Sequence, residues 1–219
     1  MYLSRYLALG GVCARRKATE LIKSGVVTVN GRIEENPAYE VQTGDRVVCD
    51  GKSVHKQEPI YIALNKPKGV VTTCADERNR ITVLDLVKIK RRKIRLYPVG
   101  RLDQETTGLL LLTNDGDLAQ QLAHPRNAIR KTYMVKLDKP LTQQALEQLK
   151  KGLYLYDGRF IPDRVFMPKT SQRVVGIEIH SGKNRVIRRA FFKLGYEVLT
   201  LDRVTYGPLR LDGLPRGSW

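Results

Sequence analysis

Apolar positions recur at helical spacing early in the chain and at strand-like spacing later. Leu3, Tyr6 and Leu7 ahead of Gly10-Gly11 predict a short helix with a glycine stop. Ala14, Ala18, Leu21 and Ile22 fall at i, i+4, i+7 and i+8 and predict a second helix with one buried face, ended by Ser24-Gly25. Val26–Val29 running into Asn30-Gly31 predicts a strand and a hairpin turn. Arg46–Cys49 predicts another strand, and Asp50-Gly51 is a further turn signal. Residues 1–57 therefore read as a small separate α/β unit, with Gln57-Glu58-Pro59 as the link to a larger second unit.

From residue 60 strand signals dominate. Ile60–Leu64, Thr132–Leu137 and Val174–Ile179 are β-type runs, and Leu109–Thr113 is a short buried run. Helices are expected at 82–88, 116–123, 142–151 and 185–194. Strands separated by helices, with partial polar–apolar alternation, imply an α+β domain over residues 60–219, built on a mixed, mainly antiparallel sheet flanked by helices. There is no clean internal repeat and no low-complexity tract.

Charge narrows the partner. Among 219 residues, 39 Lys+Arg stand against 22 Asp+Glu, a net charge of +17. Like charges repel and contribute nothing to folding, so the imbalance implies a polyanion, nucleic acid first and an anionic membrane surface second. No apolar run approaches the roughly 20 residues a spanning helix needs. The opening MYLSRYLALGG is too short and too early-charged for a secretory signal. Residues 1–57 carry nine basic and six acidic groups, so most of the excess, +14, lies in the second unit. Cys13, Cys49 and Cys74 are sparse and unpaired in sequence, and the three histidines do not cluster with them. That pattern suits a reducing cytosol, with three half-buried small apolar residues and no metal site.

The segment Gly100-Arg101-Leu102-Asp103-Gln104-Glu105-Thr106-Thr107-Gly108 sets an acidic residue in a glycine-flanked loop ahead of a buried run. A charge there is costly unless compensated. From the residues alone, Asp103 is either a catalytic carboxylate or a turn aspartate, as Asp115 before Gly116 is expected to be.

The stretch from Gly100 resembles the GRLD-x-x-T-x-G-LL motif of the RsuA/RluB-type ribosomal RNA pseudouridine synthases. Asn65-Lys66-Pro67-Lys68-Gly69 resembles that family's lysine-proline loop, and Lys131-Thr132-Tyr133 its K-x-Y motif. Gly182 through Arg189 resembles its late basic motif, and Leu201–Val204 through Leu214–Gly217 its ending. Residues 1–57 resemble the alpha-L RNA-binding domain shared with ribosomal protein S-four. The resemblance covers nearly the whole chain. It implies a cytoplasmic, monomeric, cofactor-free enzyme that isomerises a uridine in ribosomal RNA or in an assembling ribosomal subunit.

The resemblance assigns roles that physical need can weigh. Pseudouridylation breaks N1–C1′, turns the uracil and joins C5 to C1′, so nothing is oxidised or reduced. One ionised carboxylate serves, by adding to C1′ or by removing the 2′ proton. The resemblance makes Asp103 that carboxylate and Arg188 the guanidinium that keeps it charged and directed, with Lys183 the second choice. The competing reading of Arg188 is a phosphate contact, the role preferred for Arg185 and Arg189. Tyr133 matches the stacking tyrosine that receives the extruded base; on its own it reads as core packing. Arg101 is expected to fill the gap left by the base, and Lys131 to contact phosphate. The run Lys88–Arg95 is a solvated loop or a phosphate clamp. Arg5, Arg15, Arg16, Lys17 and Lys23 are expected to form a basic helix face that positions structured RNA.

Val186 departs from the glutamine found in many relatives. The Ser181–Arg185 string, Tyr206-Gly207 and the LPRG ending resemble the large-subunit (23S) branch, and favour it over a small-subunit (16S) or transfer RNA target. A reading of another class is a non-catalytic RNA-binding assembly factor; Asp103, Tyr133 and Arg188 together argue against it. No recognition-helix motif or dimerisation heptad supports a DNA-binding protein.

Overall fold

The computed structural model describes residues 1–88, 94–169 and 171–219. Most of the basic run 88–95 lies outside the described residues. The chain forms two compact units. The first holds Met1–Tyr61, with residues 94–96 and Thr113–Gly116; the second holds Ile62–Lys88, Tyr97–Leu112 and Asp117–Trp219.

The first unit begins with helices α1 (Leu3–Leu9) and α2 (Arg15–Lys23). The Gly10 N–H donates to the Tyr6 carbonyl and the Gly11 N–H to the Ala8 carbonyl, closing α1, and Ser24 ends α2. Strands β1 (Val27–Val29), β2 (Arg32–Ile33), β3 (Val47–Cys49) and β4 (Lys52–Ser53) form an antiparallel sheet in the order β2-β1-β3-β4. Asn30-Gly31 and Asp50-Gly51 all have positive φ, which two-residue hairpins of this hand demand. Leu3, Leu7, Ala18, Ile22, Val27 and Val47 close the core. Arg15, Arg16, Lys17 and Lys23 stay exposed, Lys17 paired with Glu20 at 2.9 Å; Arg5 on α1 is half-buried.

The second unit is built on eight strands: β5 (Tyr61–Lys66), β6 (Tyr97–Pro98), β7 (Thr107–Thr113), β8 (Lys131–Leu137), β11 (Arg164–Phe166), β12 (Val174–Ile179), β13 (Val198–Tyr206) and β14 (Leu209–Arg210). Their order is β11-β12-β8-β13-β7-β5, with β14 on β13 and β6 on β7. The β11–β12, β12–β8, β8–β13 and β13–β14 pairs are antiparallel; β13–β7 is parallel. A separate hairpin pairs β9 (Leu153–Leu155) with β10 (Gly158–Phe160). Helices α3 (Gly116–Ala123), α4 (Gln143–Lys151) and α5 (Val186–Lys193) complete the unit, α4 capped by Thr142 Oγ1 accepting from the Ala145 N–H. Leu109–Leu112 are all buried, so β7 is covered on both faces, whereas β8 alternates.

Two expectations are corrected, and one strand lies outside them. Residues 82–88 are a turn. Asp85 takes both the N–H and the hydroxyl of Thr82, and the Val83 N–H donates to the Val71 carbonyl, so the backbone bonds a helix needs are committed elsewhere. The long strand β13 escapes a pattern reading because Asp202 and Arg203 interrupt its apolar run. Cys74 is exposed, not half-buried; Cys49 is buried and Cys13 intermediate. Among the described residues no helix is long and apolar enough to cross a membrane, and no group of three His, Cys, Asp or Glu could hold a metal ion.

Candidate active site

Asp103 sits in the loop between β6 and β7, and that loop is tied down on several sides. Thr72 Oγ1 donates to the Leu102 carbonyl at 2.8 Å, and the Thr106 N–H donates to the Asp103 carbonyl at 3.0 Å. The Gly69 N–H donates to the Gln104 carbonyl and Gln104 Nε2 returns a bond to the Gly69 carbonyl. Beneath runs Lys66, fully buried, whose ammonium donates to the carbonyls of Pro67, Gln104 and Thr106 at 3.0, 3.3 and 2.9 Å. Burial pushes its pKa down to about 8. The lysine-proline segment thus fixes the turn that carries the aspartate.

The loop walls a cleft of about 420 Å³, within the usual size of small-molecule sites. Its floor is one face of β8 and β13. Lys131 and Tyr133 stand opposite Tyr206 and Arg203 across the strand pair, and all four line the cleft, with Leu201 beside them. The far wall is residues 181–187, including Lys183 and Arg185. Arg101, Lys131, Lys183, Arg185 and Arg203 surround a single lining carboxylate, Asp103, so the cleft is strongly cationic. Burial lowers the pKa of Lys131 and raises that of Tyr206, whose hydroxyl donates to the Leu122 carbonyl at 3.0 Å.

The structure brings Asp103, Tyr133, Arg101, Lys131, Lys183 and Arg185 to one cleft. The carboxylate of Asp103 is a third exposed and its ion-pair partner is Arg185 at 3.5 Å, not Arg188. Arg185 is the left-handed residue (φ 48°) just before α5, a sparsely populated conformation for a side chain of this size. Arg188, one turn into the helix, donates Nη1 to the Val198 carbonyl at 2.9 Å, and its Nε is buried with no partner among the described residues. Burial and the Arg185 charge lower its pKa, while Asp103 and Glu105 oppose the shift. Arg185 thus makes the contact with Asp103 that the motif assigned to Arg188, whereas Arg188 is bonded to the Val198 carbonyl.

Three residues expected to bind RNA are already engaged within the protein. Arg189 grips Asp157 through both terminal nitrogens at 2.9 Å and lies over the Tyr156 ring. Lys183 donates to the Asp157 carbonyl at 2.8 Å. Lys131 donates to the His180 carbonyl at 3.4 Å and lies 5.6 Å from the Tyr206 ring centroid. Sequence reasoning does not pick out Arg203 and Lys66 as site residues. The available signal for Arg203 is a charge set among alternating apolar residues of a strand.

Comparison with known proteins bears on the family and the fold. The family profile described as RNA pseudouridylate synthase matches residues 60–193, and the S4 domain profile matches residues 3–47. The chain is 39% identical over 220 residues to ribosomal large subunit pseudouridine synthase B of Bacillus subtilis, covering 99% of this chain and 89% of that protein. It is 34% identical over 220 residues to the dual-specificity RNA pseudouridine synthase RluF of Escherichia coli, covering 99% and 73%. Among solved structures, a pseudouridylate synthase crystal structure superposes with a TM-score of 0.68 at 27% identity, covering 100% of this chain and 94% of that one.

Proposed function

The chain belongs to the RNA pseudouridylate synthase family, and from that premise we propose that it isomerises a uridine of large-subunit ribosomal RNA with Asp103 as the catalytic carboxylate. It is an RNA pseudouridine synthase with an N-terminal S4 domain. The large-subunit target is supported by the name of the Bacillus relative and by the Ser181–Arg185 and LPRG strings. We take residues 1–57 as the RNA-binding domain and 60–219 as the catalytic domain of a cytoplasmic monomer.

One observation carries the reading: Asp103, the buried ring of Tyr133 and the Arg185 guanidinium meet in a single cationic cleft. The uridine leaves its stack and lies against Tyr133, whose face recovers part of the unstacking cost of a few kcal/mol. Arg185 keeps Asp103 ionised and aimed. The carboxylate then attacks C1′ or takes the 2′ proton; either route frees the uracil, which turns and rejoins through C5. The C5 proton leaves as N1 gains one, so the atoms balance without any redox partner. The exposed Arg15, Arg16 and Lys23 hold RNA backbone by charge and shape.

The test is to incubate the protein with large- and small-subunit rRNA transcripts and map pseudouridine chemically. New pseudouridine in the large-subunit RNA is the expected result. Modification confined to the small-subunit RNA would overturn the target, and tight binding of both without product would overturn the enzyme reading.

A further inference from the structure

The floor of the cleft holds a cation whose hydrogen-bonding capacity is mostly unspent. Arg203 is 2% exposed and lines the cavity. Its Nε donates to the Leu109 carbonyl at 2.7 Å, and its guanidinium lies over the Tyr206 ring at 4.8 Å. Of a guanidinium's five N–H groups, that one alone has a hydrogen-bond partner among the described residues. Nη2 is shielded from water with no hydrogen-bond partner among the described residues. The neighbouring carboxylates serve others: Asp103 pairs with Arg185, and Asp202 with Arg216 at 2.9 Å and with the Thr107 hydroxyl at 2.6 Å. A guanidinium does not shed its proton, so the cost of burying it persists in the free protein. The backbone that carries it is packed tightly against β7. Gly108 (φ 106°) crosses β13 so closely that a Cβ would stand 2.3 Å from the Arg203 carbonyl oxygen.

Position identifies what completes this group. Arg203 stands directly opposite Tyr133 on the adjacent strand, and such partners lie side by side on one face. A base stacked on Tyr133 has an edge toward Arg203. Phosphates belong with Arg101, which is exposed; bringing a phosphodiester down to a buried sheet floor would strip it of water.

We propose that Arg203 is the base-reading residue, donating to the C4 carbonyl of the extruded uracil. This rests on the pseudouridine synthase reading above. Uracil carries carbonyls at both C2 and C4. A half-turn of the detached ring about its N3–C6 axis exchanges N1 with C5 and, with them, C2=O with C4=O. One fixed donor beside the ring therefore meets a carbonyl before and after the turn. Cytosine sets an amino group there, opposing donor to donor beside a buried charge, which a site of this kind rejects strongly.

The test is Arg203→Met on large-subunit rRNA transcripts, with turnover, RNA affinity across a salt series and thermal unfolding measured together. The expected kcat/KM falls about 10²-fold, as for other preorganised donors. The Tm stays level or rises, because an unpaired buried charge is gone. The slope of log affinity against log salt stays unchanged. A slope smaller by about 0.7–0.9 would mean a phosphate contact and overturn the proposal. A lowered Tm with normal turnover of the folded fraction would mean a structural role and do the same. Wild-type protein on transcripts containing 4-thiouridine gives an arm independent of the variant's folding. Sulfur is the weaker acceptor, so turnover is expected to fall, and undiminished turnover overturns the proposal. Active wild type with an Arg203→Met variant within about threefold of it sinks this inference alone. A wild type that forms no pseudouridine in any rRNA sinks the parent reading, and this one with it.

Discussion

Replacing Lys66 by methionine probes how the aspartate loop is held. The ammonium serves three carbonyls, and the Gln104 carbonyl keeps the Gly69 N–H when the lysine is removed. The Pro67 and Thr106 carbonyls lose this donor, at about 1–3 kcal/mol for each left buried and unpaired. Removing a desolvated charge offsets part of this, so a net loss of about 1–3 kcal/mol is expected at pH 7. The pH dependence is the sharper signature. The folded pKa, about 8, lies below the ordinary 10.5. Below pH 8 both folded and unfolded chains hold the proton and the contribution is constant. Between pH 8 and 10.5 only the unfolded chain holds it, so wild-type stability rises with pH. At 1.36 kcal/mol per unit, the gain from pH 7 to 10 reaches about 2.5 kcal/mol. The side chain is fully buried, so solvent screening removes little of it. Urea unfolding of wild type and Lys66→Met, followed by fluorescence of the single tryptophan Trp219, measures the difference. The wild-type advantage should widen by up to about 2.5 kcal/mol across that range. An advantage that stays flat from pH 7 to 10 would refute a buried ammonium beneath the loop.

Other substitutions separate the remaining roles. Arg185→Ala should lower kcat about 10²-fold with a smaller change in KM, and Arg188→Ala should lower it less; the opposite ranking in single-turnover assays would restore the pairing role to Arg188. Gly108→Ala should destabilise by more than about 3 kcal/mol, because its φ is positive and its Cβ would meet backbone at 2.3 Å; a thermal melt close to wild type would show that β7 and β13 can move apart. Neutralising Arg15, Arg16 and Lys23 together should reduce the salt slope of RNA binding by roughly 0.7–0.9 for every phosphate they neutralise; an unchanged slope would take α2 off the RNA.

Local pattern made much of this molecule legible and long-range pairing hid the rest. The α2 stripe and the Asn30-Gly31 and Asp50-Gly51 turns announce themselves because each depends on a few adjacent residues. Leu109–Thr113 reads correctly as a buried run because β7 is covered on both faces. Thr82–Lys88 carries helix-like spacing, yet Asp85 and Val71 hold its backbone in a turn. The strand β13 is invisible to periodicity because Asp202, held by Thr107 and Arg216, and Arg203, which lines the cleft, break its apolar run. Asp103 and Tyr133 are found through motif order. Which arginine of Arg185, Arg188 and Arg189 faces the carboxylate depends on the left-handed residue before α5, which sequence spacing does not encode.

The most direct measurement compares wild type with Asp103→Asn on a large-subunit rRNA transcript, scoring pseudouridine and RNA affinity in the same samples. The amide keeps the shape of the side chain and removes its negative charge. No pseudouridine from the variant, with affinity within about threefold of wild type, is the predicted result; pseudouridine formed at the wild-type rate would contradict carboxylate catalysis at this position.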